Sequence, residues 1–468
     1  MKVLLVNPPQ PTKYAQPPMG LAIIAAVLER EGHQVNILDA NALRLQPEEV
    51  VSQAPDADVV GLTAMTPTIN AAIRIARHLK QANPDLTTIL GGPHAMLLPE
   101  ETLATAPEID VIVRGEGEKT FIELLQALEG DQRLDSVSDI SYRRNGEVIS
   151  TPTTVTHVDL DSLPFLAYHL LPLKKYKPEP PHGRAFPFAA IITSRGCPYQ
   201  CAYCSKPVFG SNFRGQSPER VVDEIAYHQK EFGIKEFAFY DDVFTLNKER
   251  AYAIADEIIK RGLKICWSCE TRVDLVDTEL LHHIKQAGCY CIAYGIESGS
   301  PEILNTLNKG ITLEQVEEAV RLSQEVGLQT IGYFMIGSPG ETPETIRQTI
   351  EFAKKLKLDF VQFTVTIPFP GTKLYELYSE GGKVDDIPWE GFVYDGTGGQ
   401  KTPVFESSLL NSSDLQYWLR QAYKEFYWRP FYLWQRLRHT TSIRDFKVDL
   451  EGFFMFLDNI RPIKKGEE

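Results

Sequence analysis

Over the first 130 residues one unit recurs: a short apolar, β-branched run, a turn carrying Gly or Pro, then apolar residues at helical spacing. The pattern predicts strands over 2–6, 34–38, 59–63, 87–90 and 111–113, with helices over 20–31, 69–81, 119–128 and a short one near 100–105. Strands this short and this apolar belong in a parallel sheet covered by helices on both faces. Five of them predict an α/β, doubly wound, flavodoxin-like (Rossmann-like) domain over 1–140. The rhythm then stops. SDISYRRNGEVIS reads as a hairpin turning at Asn145-Gly146 and VDLDSLPFLAYHLLP as a connector broken by Pro, so 141–185 is expected to be a linker. From Ala189 the alternation resumes and runs through 235–240, 264–273, 289–296, 330–336 and 360–367. Six strands with helices between them predict a partial (β/α)6 barrel over 186–375. After Pro370-Gly371-Thr372 the pattern becomes loop and then aromatic-rich helix, over 376–468.

Composition narrows the function. The 468 residues, 43% hydrophobic and 24% charged, are ordinary globular material for two or three domains. Lys plus Arg, 48, against Asp plus Glu, 62, gives a net charge of −14, without the positive footprint of a general nucleic-acid binder. The start, MKVLLVNPPQ, is broken by Pro8 and Pro9 before it resembles a secretory signal, and no stretch approaches the roughly 20 apolar residues of a membrane span, so a cytoplasmic chain is expected. Seven cysteines in such a chain point to metal or redox chemistry, or to buried thiols, rather than to disulfides.

Three of the seven stand together in Ser194-Arg195-Gly196-Cys197-Pro198-Tyr199-Gln200-Cys201-Ala202-Tyr203-Cys204, a C-x3-C-x2-C spacing just after the first barrel strand. Cuboidal iron-sulfur clusters are normally held by four thiolates, so three from one loop leave one iron open to another ligand. A zinc site or three incidental thiols is the alternative, although zinc loops usually bring paired C-x2-C ligands and a fourth donor. The motif and its place resemble those of the radical S-adenosylmethionine (radical SAM) superfamily. The resemblance implies a 4Fe-4S cluster on Cys197, Cys201 and Cys204, S-adenosylmethionine on the open iron, and one-electron cleavage to methionine and a 5′-deoxyadenosyl radical. It implies also a one-electron donor such as flavodoxin or ferredoxin, and Tyr203 packed near the adenine. Further segments match at later strand ends: Asp241-Asp242 after the second strand, Glu270 and Arg272 after the third, Glu297 and Ser298 after the fourth. Carboxylates there suit the methionyl ammonium, Arg272 the methionyl carboxylate, and Glu297 or Ser298 the ribose. Each alone is equally well a solvated loop charge.

In open α/β sheets ligands bind beyond the carboxyl ends of the strands. In the first domain those ends carry Asn7 followed by Met19-Gly20, then Thr63, Met65 and Thr66, then Gly91, Gly92 and His94, then Gly115, Glu116, Gly117 and Thr120. Taken alone this is turn chemistry. Ahead of a radical SAM core, however, the set resembles the cobalamin-binding domain of cobalamin-dependent radical enzymes, over residues 1 to about 375. The resemblance implies bound cobalamin. A D-x-H-x-x-G motif is missing from the first domain, so no histidine of that motif is expected on cobalt, and His94 or Met65 are the nearby candidates for contact. The first βα turn also lacks a G-x-G-x-x-G set, and GEGEKT lacks the G-x4-G-K-[ST] of a phosphate loop.

Together the two cofactors imply C-methylation of an unactivated carbon as the first expectation. Oxidative cyclisation, as in the anaerobic magnesium-protoporphyrin monomethyl ester cyclase group, is the second. A cobalamin-binding sensor or carrier is the non-enzymatic alternative. A lipophilic small-molecule substrate, a tetrapyrrole or isoprenoid lipid, is expected from Phe369 at the sixth strand's exit and from the aromatic tail. That tail reads as a helix across the barrel's open side, as a dimer contact, or as a helix dipping Trp428, Phe431, Tyr432 and Trp434 into lipid headgroups. Of the remaining cysteines, Cys266 and Cys269 are expected on opposite faces of a strand and Cys289 and Cys291 on one face.

Overall fold

The structure is a computed structural model that describes residues 1–379 except 11, 13, 55, 131, 155–156 and 181, together with 384, 387–392, 405–406, 409–430, 432, 436 and 443–460. In the first sheet β1 (Lys2–Asn7), β2 (Gln34–Asp39), β3 (Val59–Thr63), β4 (Thr87–Gly91) and β5 (Val111–Val113) run parallel in the order β2-β1-β3-β4-β5. Both faces are buried, as the unbroken apolar runs require: Val3 and Leu5 pack with helices Met19–Arg30 and Gly117–Glu129, Leu4 and Val6 with helix Ile69–Ala82. The hairpin expected at Asn145-Gly146 forms, with φ of 54° and 86° at its two turn residues, the pair of positive values that a tight hairpin turn needs. Its strands β6 (Ile140–Arg144) and β7 (Glu147–Ser150) extend this same sheet antiparallel beyond β5.

The second sheet contains β8 (Phe188–Ile191), β11 (Glu236–Phe239), β12 (Cys266–Thr271), β13 (Cys289–Glu297), β14 (Gln329–Ile336) and β15 (Phe360–Val365), all parallel and in that order. Between β8 and β11 the chain makes a two-residue ribbon, β9 (Ser194–Arg195) with β10 (Arg214–Gly215). On β15 Val361, Phe363 and Val365 are buried while Phe360, Gln362 and Thr364 are half-buried, so the helix-facing side is packed and the lumen side is accessible. An edge strand presents unpaired backbone groups. Here helix Ser412–Tyr427 lies across it: the Tyr423 hydroxyl accepts from Phe363 N (3.2 Å) and donates to Phe363 O (3.0 Å), and Tyr427 does the same at Val361 (3.0 and 2.8 Å). Tyr432, from the same aromatic segment, is buried against Phe426 and Tyr427, whereas Trp428 is exposed. Phe431 and Trp434 lie outside the described residues. Among the described residues no helix is long and apolar enough to cross a membrane.

The two sheets are joined by buried polar contacts. Tyr176, in the connecting segment, donates to Asp39 Oδ2 at the end of β2 (2.7 Å), and Tyr168 donates to the Ala190 carbonyl of β8. Met19, which opens the first helix, packs on Phe188, Ala190 and Ala238 on the lumen side of the barrel.

Cys269 and Cys289 face the helices, whereas Cys291 faces the lumen with Tyr290 and Ala293. The expectation that Cys289 and Cys291 share a face is therefore corrected. A register shift sets Trp267 opposite Cys289 and Ser268 opposite Cys291, so the extra residue on β13 inverts the alternation.

Candidate functional site

The cysteine loop, residues 196–213, is closed by the β9–β10 ribbon and held by its own backbone. Gly196 has φ +84°, and a Cβ there would stand 2.2 Å from Asn212 O, so only glycine fits the start of the loop. Lys206 ties the loop from inside, donating to the carbonyls of Cys197 (2.9 Å) and Tyr199. Cys197, Cys201 and Cys204 are free thiols. Burial pushes Cys197 up and Cys204 up to about 11, and nearby Cys201 adds to both. Three free thiols supplied by one loop are a donor set suited to an iron-sulfur cluster.

The barrel strand ends divide into two groups. Asp241, Arg272 and Ser298 are taken up in holding loops. Asp241 is buried and accepts from Thr193 N, Thr193 Oγ1 and Ser194 Oγ, each at 2.6 Å, which fixes the strand leading into the cysteine loop. Arg272 makes a two-pronged pair with Asp274 (3.0 and 3.1 Å), donates to Lys309 O (2.9 Å), and lies 3.6 Å over the Tyr199 ring. Ser298 is fully buried against Thr349 Oγ1 at 3.0 Å.

Asp242, Glu270 and Glu297 form the second group, of which Asp242 lines a cavity. Asp242 accepts from Gly196 N (3.2 Å), and burial and the Asp241 charge push its carboxyl up. Glu270 accepts from Tyr333 OH (3.1 Å), and burial together with Asp242 pushes it up as well. Glu297 takes φ +70° at a bulge and gathers Tyr203 OH (2.7 Å) and Lys309 Nζ (2.8 Å) on one oxygen. Lys309, absent from the sequence expectations, neutralises Glu297 from twelve residues downstream, across helix Pro301–Thr306, and no local motif signals the pairing.

In the first domain a cavity of about 490 Å³ opens at the carboxyl ends of the strands. Met19, Gly20, Thr63, Met65, Gly91, Gly92, Gly115, Glu116 and Gly117 line it, and its apolar floor reaches Leu5, Gly61 and Phe121. A Cβ at Gly61 would stand 2.8 Å from Leu5 Cδ2, so glycine in mid-strand keeps that floor open. Asn7, Thr66, His94 and Thr120 are not in this wall. Asn7 donates to Asp39 (2.9 Å), and Thr120 is buried. His94, buried and held neutral by desolvation with its pKa lowered to about 4, meets Thr66 Oγ1 (3.3 Å) and the edge of Trp389, 5.0 Å between ring centres. A second chamber of about 270 Å³ shares Met65, Pro93, Val208 and Phe209 with the first and continues to Ser205, Lys206, Asp242 and Phe369.

Family models match the two halves: the B12 binding domain over residues 11–125 and the Radical SAM superfamily over 191–353. An uncharacterized methyltransferase of Pyrococcus horikoshii is 39% identical over 92% of this chain and 93% of its own. The chain belongs to the cobalamin-binding radical SAM enzymes.

Another relative in this family, the anaerobic magnesium-protoporphyrin IX monomethyl ester cyclase of Rubrivivax gelatinosus, is 30% identical over 92% of this chain and 78% of its own. The same fold is seen in the radical S-adenosylmethionine methyltransferase TsrM from Kitasatospora setae, with cobalamin and a 4Fe-4S cluster bound (TM-score 0.68, 22% identity, covering 83% of this chain and 76% of that one). The cofactors of this radical SAM enzyme are a 4Fe-4S cluster, S-adenosylmethionine and cobalamin. The donor chemistry present fits them: three free thiols on one loop for the cluster, and a glycine-rimmed cavity with an apolar floor for cobalamin.

Proposed function

We propose that this enzyme transfers a methyl group to an unactivated carbon of a lipophilic small molecule, a tetrapyrrole or an isoprenoid lipid. The observation that carries the reading is the pair of adjoining cavities. The smaller chamber touches the rim of the first-domain cavity through Met65 and the cysteine loop through Ser205 and Lys206. One carbon held there lies beside both cofactor sites. Most of its wall is apolar, with Met65, Pro93, Leu97, Val208, Phe209 and Phe369 around Lys206 and Asp242. When bound, the cluster supplies one electron for cleavage of S-adenosylmethionine, and cobalamin carries the methyl group.

The chain's own residues position these groups. Cys197, Cys201 and Cys204 hold the cluster, leaving one iron for S-adenosylmethionine. Asp242 and Glu270, each pushed up by burial and by a neighbouring carboxylate, attract the methionyl ammonium. Tyr203, braced by Glu297 and Lys309, gives the adenine a fixed face. Met65, exposed where the two cavities meet, would contact bound cobalamin. A flavodoxin or ferredoxin supplies the electron.

Product stoichiometry tests the reading. With S-adenosylmethionine carrying a CD3 group, and with magnesium-protoporphyrin IX monomethyl ester and isoprenoid lipids as trial substrates, methyl transfer yields S-adenosylhomocysteine and 5′-deoxyadenosine in equal amounts and a CD3-labelled product. Turnover that releases 5′-deoxyadenosine without S-adenosylhomocysteine overturns methylation. It would establish the second reading, cyclisation, which the 30% identity to the Rubrivivax cyclase favours.

A further inference from the structure

The wall between the two cofactor sites is an ion cluster with one member pair from each half of the chain. Glu116 and Glu118 follow β5 and open helix Gly117–Glu129. Arg195 lies on β9 and Arg214 on β10, where they are register partners, so together they close the loop that carries the three cysteines. Glu116 reaches both: its Oε2 accepts from Arg195 Nη1 (3.0 Å) and Arg214 Nη1 (3.2 Å), and its Oε1 from Arg214 Nη2. Glu118 Oε1 accepts from Arg195 Nη2 at 2.6 Å. The side chains of Arg195, Glu116 and Glu118 are only 10%, 8% and 5% exposed. Arg195 also covers the Phe209 ring at 5.0 Å, and Phe209 lines both cavities.

We propose that this cluster couples the two cofactor sites, so that filling the first-domain cavity stiffens the cysteine loop and loading the cysteine loop tightens cobalamin binding. The inference rests on the cofactor placement proposed above. Its physical basis is that buried charges have no water to fall back on. Moving Glu116 away takes the carboxylate from Arg214 and leaves Arg195 with Glu118 alone in a low-dielectric wall, so displacement of the β5 loop is resisted by the β9–β10 ribbon. Glu116, Glu118 and Arg195 all line the cavity, so a ligand packed there restrains the carboxylates directly and the ribbon through them. Coupling of this kind is reciprocal: whatever factor one ligand gains from the other, the other gains from the first. Glu116 and Glu118 are positioning residues, acting on the cluster through Arg195 and Arg214.

The test is the rate of iron loss from cluster-loaded protein to a ferrous chelator, with and without saturating hydroxocobalamin. In the wild type cobalamin slows iron loss at least about fivefold, and cluster loading lowers the Kd for hydroxocobalamin by the same factor. In Glu116→Gln, which keeps the shape but removes the carboxylate that grips both arginines, both effects fall below about twofold, while iron content stays at the wild-type level. Arg214→Lys keeps the charge but loses the fork on Glu116, and it gives the same decoupling if Glu116→Gln does not load. Wild-type protein that binds both cofactors without mutual protection overturns the proposal, as does a variant that retains full protection. Wild-type protein that binds no cobalamin, or Cys→Ala variants that keep their iron, would instead overturn the underlying cofactor placement.

Discussion

Gly92 offers a measurement in which sterics and function separate. It has φ +92° and ψ 171°, a region that is essentially glycine's alone and that costs another residue of order 1–3 kcal/mol. A Cβ there would also stand 2.7 Å from both Ala64 O and Thr63 Oγ1 and 2.8 Å from Ala64 N. That neighbour cannot retreat easily. Ala64 N donates to Gly91 O (3.0 Å) and Ala64 O accepts from His94 N (3.2 Å), so pushing it away opens the ends of β3 and β4. Overpacking of this kind adds about 1–3 kcal/mol, for a total penalty of about 2–6 kcal/mol in Gly92→Ala. The variant relaxes by displacing Thr63–Met65, the rim of the large cavity, and binding must then restore it. At 1.4 kcal/mol per decade, the affinity for hydroxocobalamin weakens at least roughly thirtyfold. Gly146→Ala, at the hairpin turn away from the cavity, is the control. It too has a positive φ, +86°, but its Cβ would meet nothing within 4 Å, so it pays about 1–2 kcal/mol in stability and leaves the rim in place. An absorbance titration of both variants, with iron content reporting the intact barrel, gives the answer. If Gly92→Ala binds as tightly as Gly146→Ala, the close approach to Ala64 does not shape the site and the reasoning fails.

Two further outcomes follow from the barrel. Tyr423→Phe removes the hydroxyl that bonds both the Phe363 N–H and C=O of β15 in a buried setting and costs about 1–3 kcal/mol, and Tyr427→Phe costs less because its site is half-buried; urea unfolding that shows neither loss would mean that these hydroxyls do not secure the edge. Glu341 is fully buried, accepts from Gly337 N (2.5 Å) and Ser338 N (3.1 Å), and burial pushes its carboxyl up to about 7. Because the folded value exceeds the unfolded one, the native state holds the proton more tightly, so this residue's contribution to stability declines as pH rises from about 4.5 to about 7 and is level above, a change of about 3 kcal/mol. Glu341→Gln removes that slope, and a wild-type-minus-variant stability difference that stays flat from pH 5 to 8 would exclude it.

Much of the architecture was legible because its signals are local. Alternating apolar runs and Gly or Pro turns placed all eleven parallel strands, and Asn145-Gly146 placed the hairpin. The pairing of β6 with β5 was not legible, since a strand's register partner leaves no mark in its own sequence. The bulge opposite Trp267 was hidden for the same reason: a period of two, read from residue numbers alone, cannot register one inserted residue. The sequence of the aromatic tail allows a helix across the barrel's open side, among other readings, but does not single out Tyr423 and Tyr427, whose hydroxyls bond the edge strand.

The site shows the same division more sharply. Three cysteines seven residues apart from first to last declare themselves, because one loop supplies the whole donor set. Charged residues do not, since a carboxylate beside the cofactor and a carboxylate that braces the loop have the same side chain. Asp241 and Asp242 are neighbours in sequence, yet one is spent on Thr193 and Ser194 while the other looks toward the chamber. Arg272 finds its partner two residues away in Asp274, and Glu116 finds its partners 79 and 98 residues away. What separates Asp241 from Asp242 is whether hydrogen-bond donors already surround the carboxylate, and that is fixed by the fold rather than by the local sequence. Glu116 belongs to both roles at once, since it lines the cavity and grips the ribbon of the cysteine loop. A residue of that kind can be recognised only after both halves are in view, and it is the position at which the chemistry of one half becomes sensitive to the contents of the other.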